Sequence, residues 1–307
     1  MRINKTIIER KGNTMIANPT CLACILSKQE KRIRGFDDEE KKSQFIQEVL
    51  ELLAQYGRQE TNPWLAMKID EIFYRYFDEP IDYPGIKHKY NQLVLDKEKE
   101  IETIIRSDKN PIESCLRYVS AGNYIDFGTV ANVDDEVFDN LLANVQSQHF
   151  DQETIQQFMQ DCMMGTRFVY CVDNCGEIVL DKVFIKILKE QYPHLEITAI
   201  VRGAMVINDA TIEDAKEVGL TEVVNVIDSG AAAPGLTFHG LGKQACQCLE
   251  QADVILAKGQ GNFEGLYGEG LNPYFLFLCK CELFQMRFGL EPFSPVFARE
   301  DQIKDIK

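Results

Sequence analysis

The sequence predicts an α/β protein in which a doubly wound parallel sheet follows an all-helical N-terminal half. Three observations carry that reading. Apolar residues recur at three-to-four spacing over 37–165, the period of helices with one buried face. After Thr166, short β-type runs alternate with helical stretches, the pattern of right-handed βαβ units. At 307 residues the chain is long enough for two cores. The expected organisation is a flexible extension over 1–17, an all-α domain over 18–165 and an α/β domain over 166–307.

In the first half, Asp37 caps a helix that carries Phe45, Ile46, Val49, Leu50 and Leu53 on one stripe and stops at Gly57. Asn62-Pro63 opens a second, with Leu65, Ile69, Ile72, Phe73 and Tyr76 inward. Tyr83-Pro84-Gly85 reads as a turn. One long helix then carries Leu93, Val94, Ile101, Ile104 and Ile105, and a fourth runs from Asn110-Pro111 to near Gly122. A last amphipathic segment holds Ile155, Phe158 and Met159. Strands are expected over 167–172, 195–201, 222–227, 253–257 and 275–279, with helices over 178–191, 211–218 and 239–251 between them.

Hydrophobic residues make up 45% of the chain and charged residues 26%, which excludes collagen-like, disordered and low-complexity classes. No apolar run approaches the ~20 residues that cross a bilayer. Residues 1–20 carry basic groups but no apolar segment of a secretory signal. Lys and Arg total 33 against 48 Asp and Glu, a formal charge of −15. That field repels polyanions, so neither nucleic acid nor a membrane surface is an expected partner. A small phosphorylated metabolite stays compatible, because a local cation or lysine outweighs the distant field. The composition sets no oligomeric state.

Ten cysteines without a signal segment read as free thiols in a reducing cytoplasm. Cys21-x-x-Cys24 is half of a tetrahedral zinc set that Cys279/Cys281 or Cys171/Cys175 can complete; buried inert thiols are the plainer reading.

In an open parallel sheet, ligands bind beyond the carboxyl ends of the strands. Here the first strand is followed by Asp173-Asn174-Cys175-Gly176-Glu177, and the second by Arg202-Gly203, then Asn208-Asp209-Ala210-Thr211. The third leads to Asp228-Ser229-Gly230, the fourth to Lys258-Gly259-Gln260-Gly261-Asn262-Phe263-Glu264. Carboxylates, amides, a lysine and glycines thus converge on one rim. Asp173, Asn174 and Asp209 form an all-oxygen set suited to a divalent cation such as Mg²⁺ or Mn²⁺. Gly176 precedes a helix whose N–H groups can face an anion. Lys258 supplies a point charge for phosphate, and Gly259 and Gly261 leave room for its approach. Plainer readings stand beside these: Asp173-Asn174 and Asn208-Asp209 as turn or cap residues, Lys258-Gly259 as a solvated loop, Arg202 as a surface ion pair.

The segments Asp173-Asn-Cys-Gly-Glu177, Arg202-Gly with Asn208-Asp-Ala-Thr211, and Lys258-Gly-Gln-Gly-Asn-Phe-Glu264 resemble the signatures of the metal-dependent damage-control phosphatases (domain of unknown function 89, ARMT-like). Cys21-Leu-Ala-Cys24 and Ala121-Gly-Asn-Tyr-Ile-Asp-Phe-Gly128 resemble the short prokaryotic branch of that family. The resemblance implies an N-terminal helical domain, a Rossmann-like α/β domain holding the site, and hydrolysis of sugar phosphates or damaged phosphometabolites. It implies a divalent cation (Mg, Mn, Co or Ni) on Asp173, Asn174 and Asp209, with Lys258 binding phosphate. Ala204-Met205 stand where a proline is expected nearby, which leaves the shape of that loop open.

On this reading Asp173, Glu177 and Lys258 are catalytic, while Arg202, Ser229, Lys258 and Asn262 face the substrate. The cation polarises the phosphoryl group and Lys258 clamps an oxygen. Position 175 is Cys, so the second Asp of haloacid-dehalogenase phosphatases is missing; water is favoured over a carboxylate as nucleophile. Glu177 either orients that water or complements the helix dipole. His239, near the third strand end, reads as structural or as a substrate contact. Two other classes compete. A non-catalytic metabolite-binding protein keeps the pocket without turnover. An adenosylmethionine-dependent methyltransferase wants a glycine-rich first loop and an acid ending the second strand, where this chain has Asp-Asn-Cys-Gly-Glu and Arg202.

Overall fold

The computed structural model describes residues 14–78, 81–124, 140, 142, 145 and 148–303. Helices α1 (Pro19–Ile33), α2 (Glu39–Tyr56), α3 (Asn62–Tyr76), α4 (Tyr83–Leu95), α5 (Glu98–Ser107), α6 (Pro111–Gly122) and α7 (Gln152–Met164) precede the sheet. Then follow β1 (Arg167–Cys171), α8 (Glu177–Gln191), β2 (Glu196–Val201), α9 (Ile212–Glu217), β3 (Asn225–Asp228) and α10 (Lys243–Glu250). The chain continues through β4 (Val254–Lys258), α11 (Gln260–Leu266), β5 (Tyr274–Leu278), α12 (Glu282–Phe288) and β6 (Pro295–Arg299). No helix among the described residues is long and apolar enough to cross a membrane.

Side-chain caps start most of the early helices: Asn18, Asp38, Thr61, Asp82, Asn110 and Asp151 each accept a first-turn N–H. Residues 83–85 are therefore the first turn of α4 rather than a free turn. Pro84 has the φ that position wants, and Asp82 accepts the Gly85 N–H at 3.1 Å. The single long helix expected after it is two, α4 and α5. Leu50 and Ile104, expected inward, are 47% and 40% exposed. Helix α1 was not expected; only Ile25 and Ile33 of it are buried, too thin a stripe to show a period. Residues 125–128 of the Ala121–Gly128 motif and the first 13 residues lie outside the described residues.

The sheet runs β3-β2-β1-β4-β5-β6. Strands β1 to β5 are parallel, and β6 pairs antiparallel with β5. That sixth strand corrects the all-parallel expectation; only Phe297 of it is buried, so it carries little apolar signal. Order reverses between β1 and β4, which opens the crevice where ligands bind in doubly wound sheets. Phe168 and Tyr170 enter one core with α8 and residues from α4 to α7, while Val169 and Cys171 enter the core on the opposite face. Helices α1 to α3 build a third core of their own around Phe45, Leu65 and Phe73. Helix α6 lies so close to α8 that a Cβ on Gly122 would stand 2.7 Å from Leu180. This contact brings the C-cap of α6, Asn123, to the end of β1.

Candidate active site

The segments leaving β1 and β2 are zipped together. Asn174 and Asp209 form an antiparallel bridge. The Cys175 N–H donates to the Asn208 carbonyl, and the Ala210 N–H to the Asp173 carbonyl, both at 2.8 Å. Gly176, at φ 68°, turns the chain into α8, in the positive-φ region that glycine enters more readily than other residues. Asp173, Asn174 and Asp209 thereby sit side by side, all buried.

Arg202 lies between the two aspartates. Its Nη2 donates to Asp173 Oδ1 at 3.1 Å, its Nε to Asp209 Oδ2, and its Nη1 to Asn262 Oδ1 at 3.0 Å. On the other side, Asn123 Nδ2 donates to Asp173 Oδ2 and Glu177 Oε2, each at 3.0 Å. Asn174 Nδ2 donates to the same two oxygens at 2.9 and 3.2 Å, and its Oδ1 accepts from Asn208 at 3.0 Å. Lys258 ends β4 fully buried; its Nζ pairs with Glu177 Oε1 and, at 3.1 Å, with Asp181 Oδ1. The Tyr170 hydroxyl donates to that Asp181 oxygen at 2.6 Å. Asp181 Oδ2 has no partner among the described residues.

Burial, then the Glu177 and Asp209 carboxylates, push the Asp173 carboxyl up to about 8, against the pull of Arg202 and Lys280. Burial, followed by Glu177, moves Asp181 up to about 6, with Lys258 opposing. Burial works against the Lys258 charge, but Asp181 and Glu177 outweigh it and its pKa is raised. Among the described residues four buried carboxylates thus meet two buried cations, Arg202 and Lys258, with half-buried Lys280 beside them.

The Damage-control phosphatase ARMT1-like domain model matches residues 17–293. The chain belongs to this family. A protein of Archaeoglobus fulgidus named damage-control phosphatase is 31% identical over 278 residues, 87% of this chain and 93% of that one. A damage-control phosphatase of Pyrococcus horikoshii is 29% identical over 205 residues, 65% of this chain and 69% of that one. The crystal structure of a DUF89 family protein from Pyrococcus horikoshii shares the fold, with a TM-score of 0.77 at 23% identity, covering 93% of this chain and 99% of that one.

Several expected roles read differently within the family fold. The N–H groups opening α8 are engaged by the chain itself: Gly176 donates to Asn91 Oδ1, Glu177 to the Cys175 carbonyl, and Ile178 to the Asn174 carbonyl. They do not face an anion. Gly259 and Gly261 make room for protein rather than phosphate, since Cβ atoms there would meet Asp173 and the Pro234 carbonyl. Lys258 is buried at the end of β4 and Gly259 caps α11, so this pair is no solvated loop. Asn262 is fully buried and bridges Arg202, the Leu236 N–H, and the carbonyls of Val172 and Lys258. Ser229 accepts the Gly203 N–H at 3.0 Å and donates to the Ala231 carbonyl. Arg202 is 1% exposed, an internal tie rather than a surface ion pair. His239 pairs with Glu60 at 2.8 Å. Glu264 reaches towards α3, accepting from Asn62 at 2.6 Å.

All ten cysteines are free. Among the described residues no group of three or more His, Cys, Asp and Glu is arranged to hold a metal ion; Cys21 and Cys24 therefore have no completed tetrahedral set there, and the zip offers two carboxylates plus an amide. Asp181 and Lys280 escaped the sequence reading, and Asn123 entered it only within the Ala121–Gly128 motif, without a role. Lys280 follows β5, is half-buried, and donates to the Asn123 carbonyl at 2.6 Å. The strand-end rule finds it once the residues after the fifth strand are read like those after the other four. Asp181 sits one turn beyond Glu177 on α8, where it looks like a surface charge of an amphipathic helix.

Proposed function

We propose that the chain hydrolyses small phosphomonoesters, damaged phosphometabolites among them, with a divalent cation held by Asp173, Asn174 and Asp209. The zip between the ends of β1 and β2 carries this reading. It draws two carboxylates and an amide together, a donor set that fits Mg²⁺ or Mn²⁺ and admits Co²⁺ or Ni²⁺. The bound cation polarises the phosphoryl group and neutralises its developing charge.

The chain's own residues supply the frame. Arg202 holds Asp173 and Asp209 at fixed spacing. Asn123 and Asn174 hold the free edge of Asp173 against Glu177. Asn174 Oδ1, the oxygen this amide can offer a cation, accepts from Asn208 at 3.0 Å. Glu177 and Lys258 neutralise one another at the back of the site, so both act by positioning, while half-buried Lys280, whose charge already acts on Asp173, meets a substrate phosphate. The free thiols agree with a cytoplasmic setting.

Phosphate release from an aryl phosphate, lost with a chelator and restored by Mg²⁺, Mn²⁺, Co²⁺ or Ni²⁺, tests the reading. Absence of release with every metal marks a metabolite-binding protein instead.

A further inference from the structure

We propose that Asn91, on helix α4, is a positioning residue for this site, fixing with one side chain both segments that carry the cation ligands. The proposal rests on the phosphatase reading above only for its kinetic consequence. Asn91 is fully buried. Its Oδ1 accepts the Gly176 N–H at 2.7 Å, and its Nδ2 donates to Asp214 Oδ1 at 3.0 Å and Glu217 Oε2 at 2.7 Å. The amide is therefore used on both sides: acceptor towards the segment after β1, donor towards the segment after β2.

Each partner lies next to a ligand. Gly176 is the left-handed residue through which the chain leaves Asp173-Asn174. Asp214 caps α9, and its Oδ2 accepts from both the N–H and the hydroxyl of Thr211 at 2.8 Å. Thr211 stands two residues beyond Asp209. One turn before Asn91, Lys87 Nζ pairs with the same Asp214 oxygen at 2.6 Å, both side chains being 5% exposed. Helix α4 thus grips the outer side of the zip whose inner side presents Asp173, Asn174 and Asp209.

A hydrophobic residue would fill this space equally well, but would leave the buried Gly176 N–H without its acceptor and take from Asp214 Oδ1 and Glu217 Oε2 the donor they share. The choice of an amide is explained by the two loops it must hold in register. Site groups displaced by about 1 Å lose on the order of 10²-fold in rate, so slack here reaches the chemistry although Asn91 touches no substrate.

The test compares Asn91→Ala and Asn91→Asp with Lys182→Met. Lys182 ties α8 to Glu98 Oε2 at 2.7 Å and to the Val218 carbonyl at 2.5 Å, without touching either ligand segment. Three readouts are taken: amide hydrogen exchange over 173–177 and 208–214, binding of Mn²⁺, and kcat with KM for aryl phosphate. Asn91→Ala is expected to speed exchange in both segments at least about tenfold. It should weaken Mn²⁺ binding and lower kcat at least about tenfold, with KM changed less than about threefold. Asn91→Asp keeps the acceptor for Gly176 but faces Asp214 and Glu217 with a carboxylate, so 208–214 should loosen while 173–177 stays protected. Lys182→Met should do neither. Unchanged exchange in a folded Asn91→Ala protein overturns the proposal. So does an equal kinetic loss in Lys182→Met at matched thermal stability. If Asn91→Ala does not fold, the split between segments in Asn91→Asp decides. A wild-type chain that releases no phosphate defeats the phosphatase reading alone, because exchange still judges Asn91.

Discussion

Gly259 and Asp173 are so close that no side chain fits between them: a Cβ on Gly259 would fall 1.9 Å from Asp173 Oδ2. Gly259 also has φ +81°, a region that L side chains rarely enter. The end of β4 therefore shapes the site by yielding space to the carboxylate at the end of β1. Gly259→Ala should push Asp173 out of line, lowering turnover by at least about tenfold and reducing Tm. Steady-state kinetics and thermal unfolding check both; wild-type turnover would show that Asp173 tolerates displacement.

Lys258 is the interior counter-charge of Glu177 and Asp181. Lys258→Met leaves those two carboxylates buried together, and removing one partner of a buried pair costs about 3–5 kcal/mol. Urea unfolding should register this loss. Wild-type stability with turnover abolished would instead return Lys258 to direct work on phosphate.

Lys280 stands at the accessible edge, near enough to Asp173 to pull its pKa down. Lys280→Gln should raise KM for a phosphomonoester and weaken inhibition by inorganic phosphate by about tenfold, the scale of one charge-assisted contact. Stability should stay near wild type. Unchanged phosphate affinity would remove Lys280 from the substrate side.

Asp181 gives a pH signature in the chelated protein. Its pKa is raised from an ordinary carboxyl value to about 6, by burial first. A carboxyl raised in the folded state contributes stability below its unfolded pKa and loses it as pH rises through the folded value. Stability from this group should thus fall between about pH 4 and pH 6, by at most about 3 kcal/mol. Thermal melts of wild type and Asp181→Asn across this range check it: the variant should show the shallower slope, and identical slopes would contradict the shift.

The strand-end segments were legible because a parallel sheet collects them, and Asp173, Asn174 and Asp209 needed only that rule. The partners were less legible. Asn123, quoted in the Ala121–Gly128 motif without a role, comes from a helix cap 50 residues before Asp173, and the tight α6–α8 contact at Gly122 brings it to the site. Lys258 was rightly placed at a strand end, but burial against Glu177 and Asp181 depends on α8 facing inward all round, which periodicity does not reveal. Strand β6 and helix α1 were missed because each buries too little to leave a pattern.

On the proposed function, Asp173 and Asp209 hold the cation used to release phosphate. Mn²⁺ titrated into wild type, Asp173→Asn and Asp209→Asn, with phosphate release followed in the same samples, decides whether they do. Both variants should bind Mn²⁺ at least about tenfold more weakly and lose turnover in parallel, with excess metal restoring part of the activity in one of them. Wild-type metal dependence in both variants would leave these aspartates as structural partners of Arg202 rather than cation ligands.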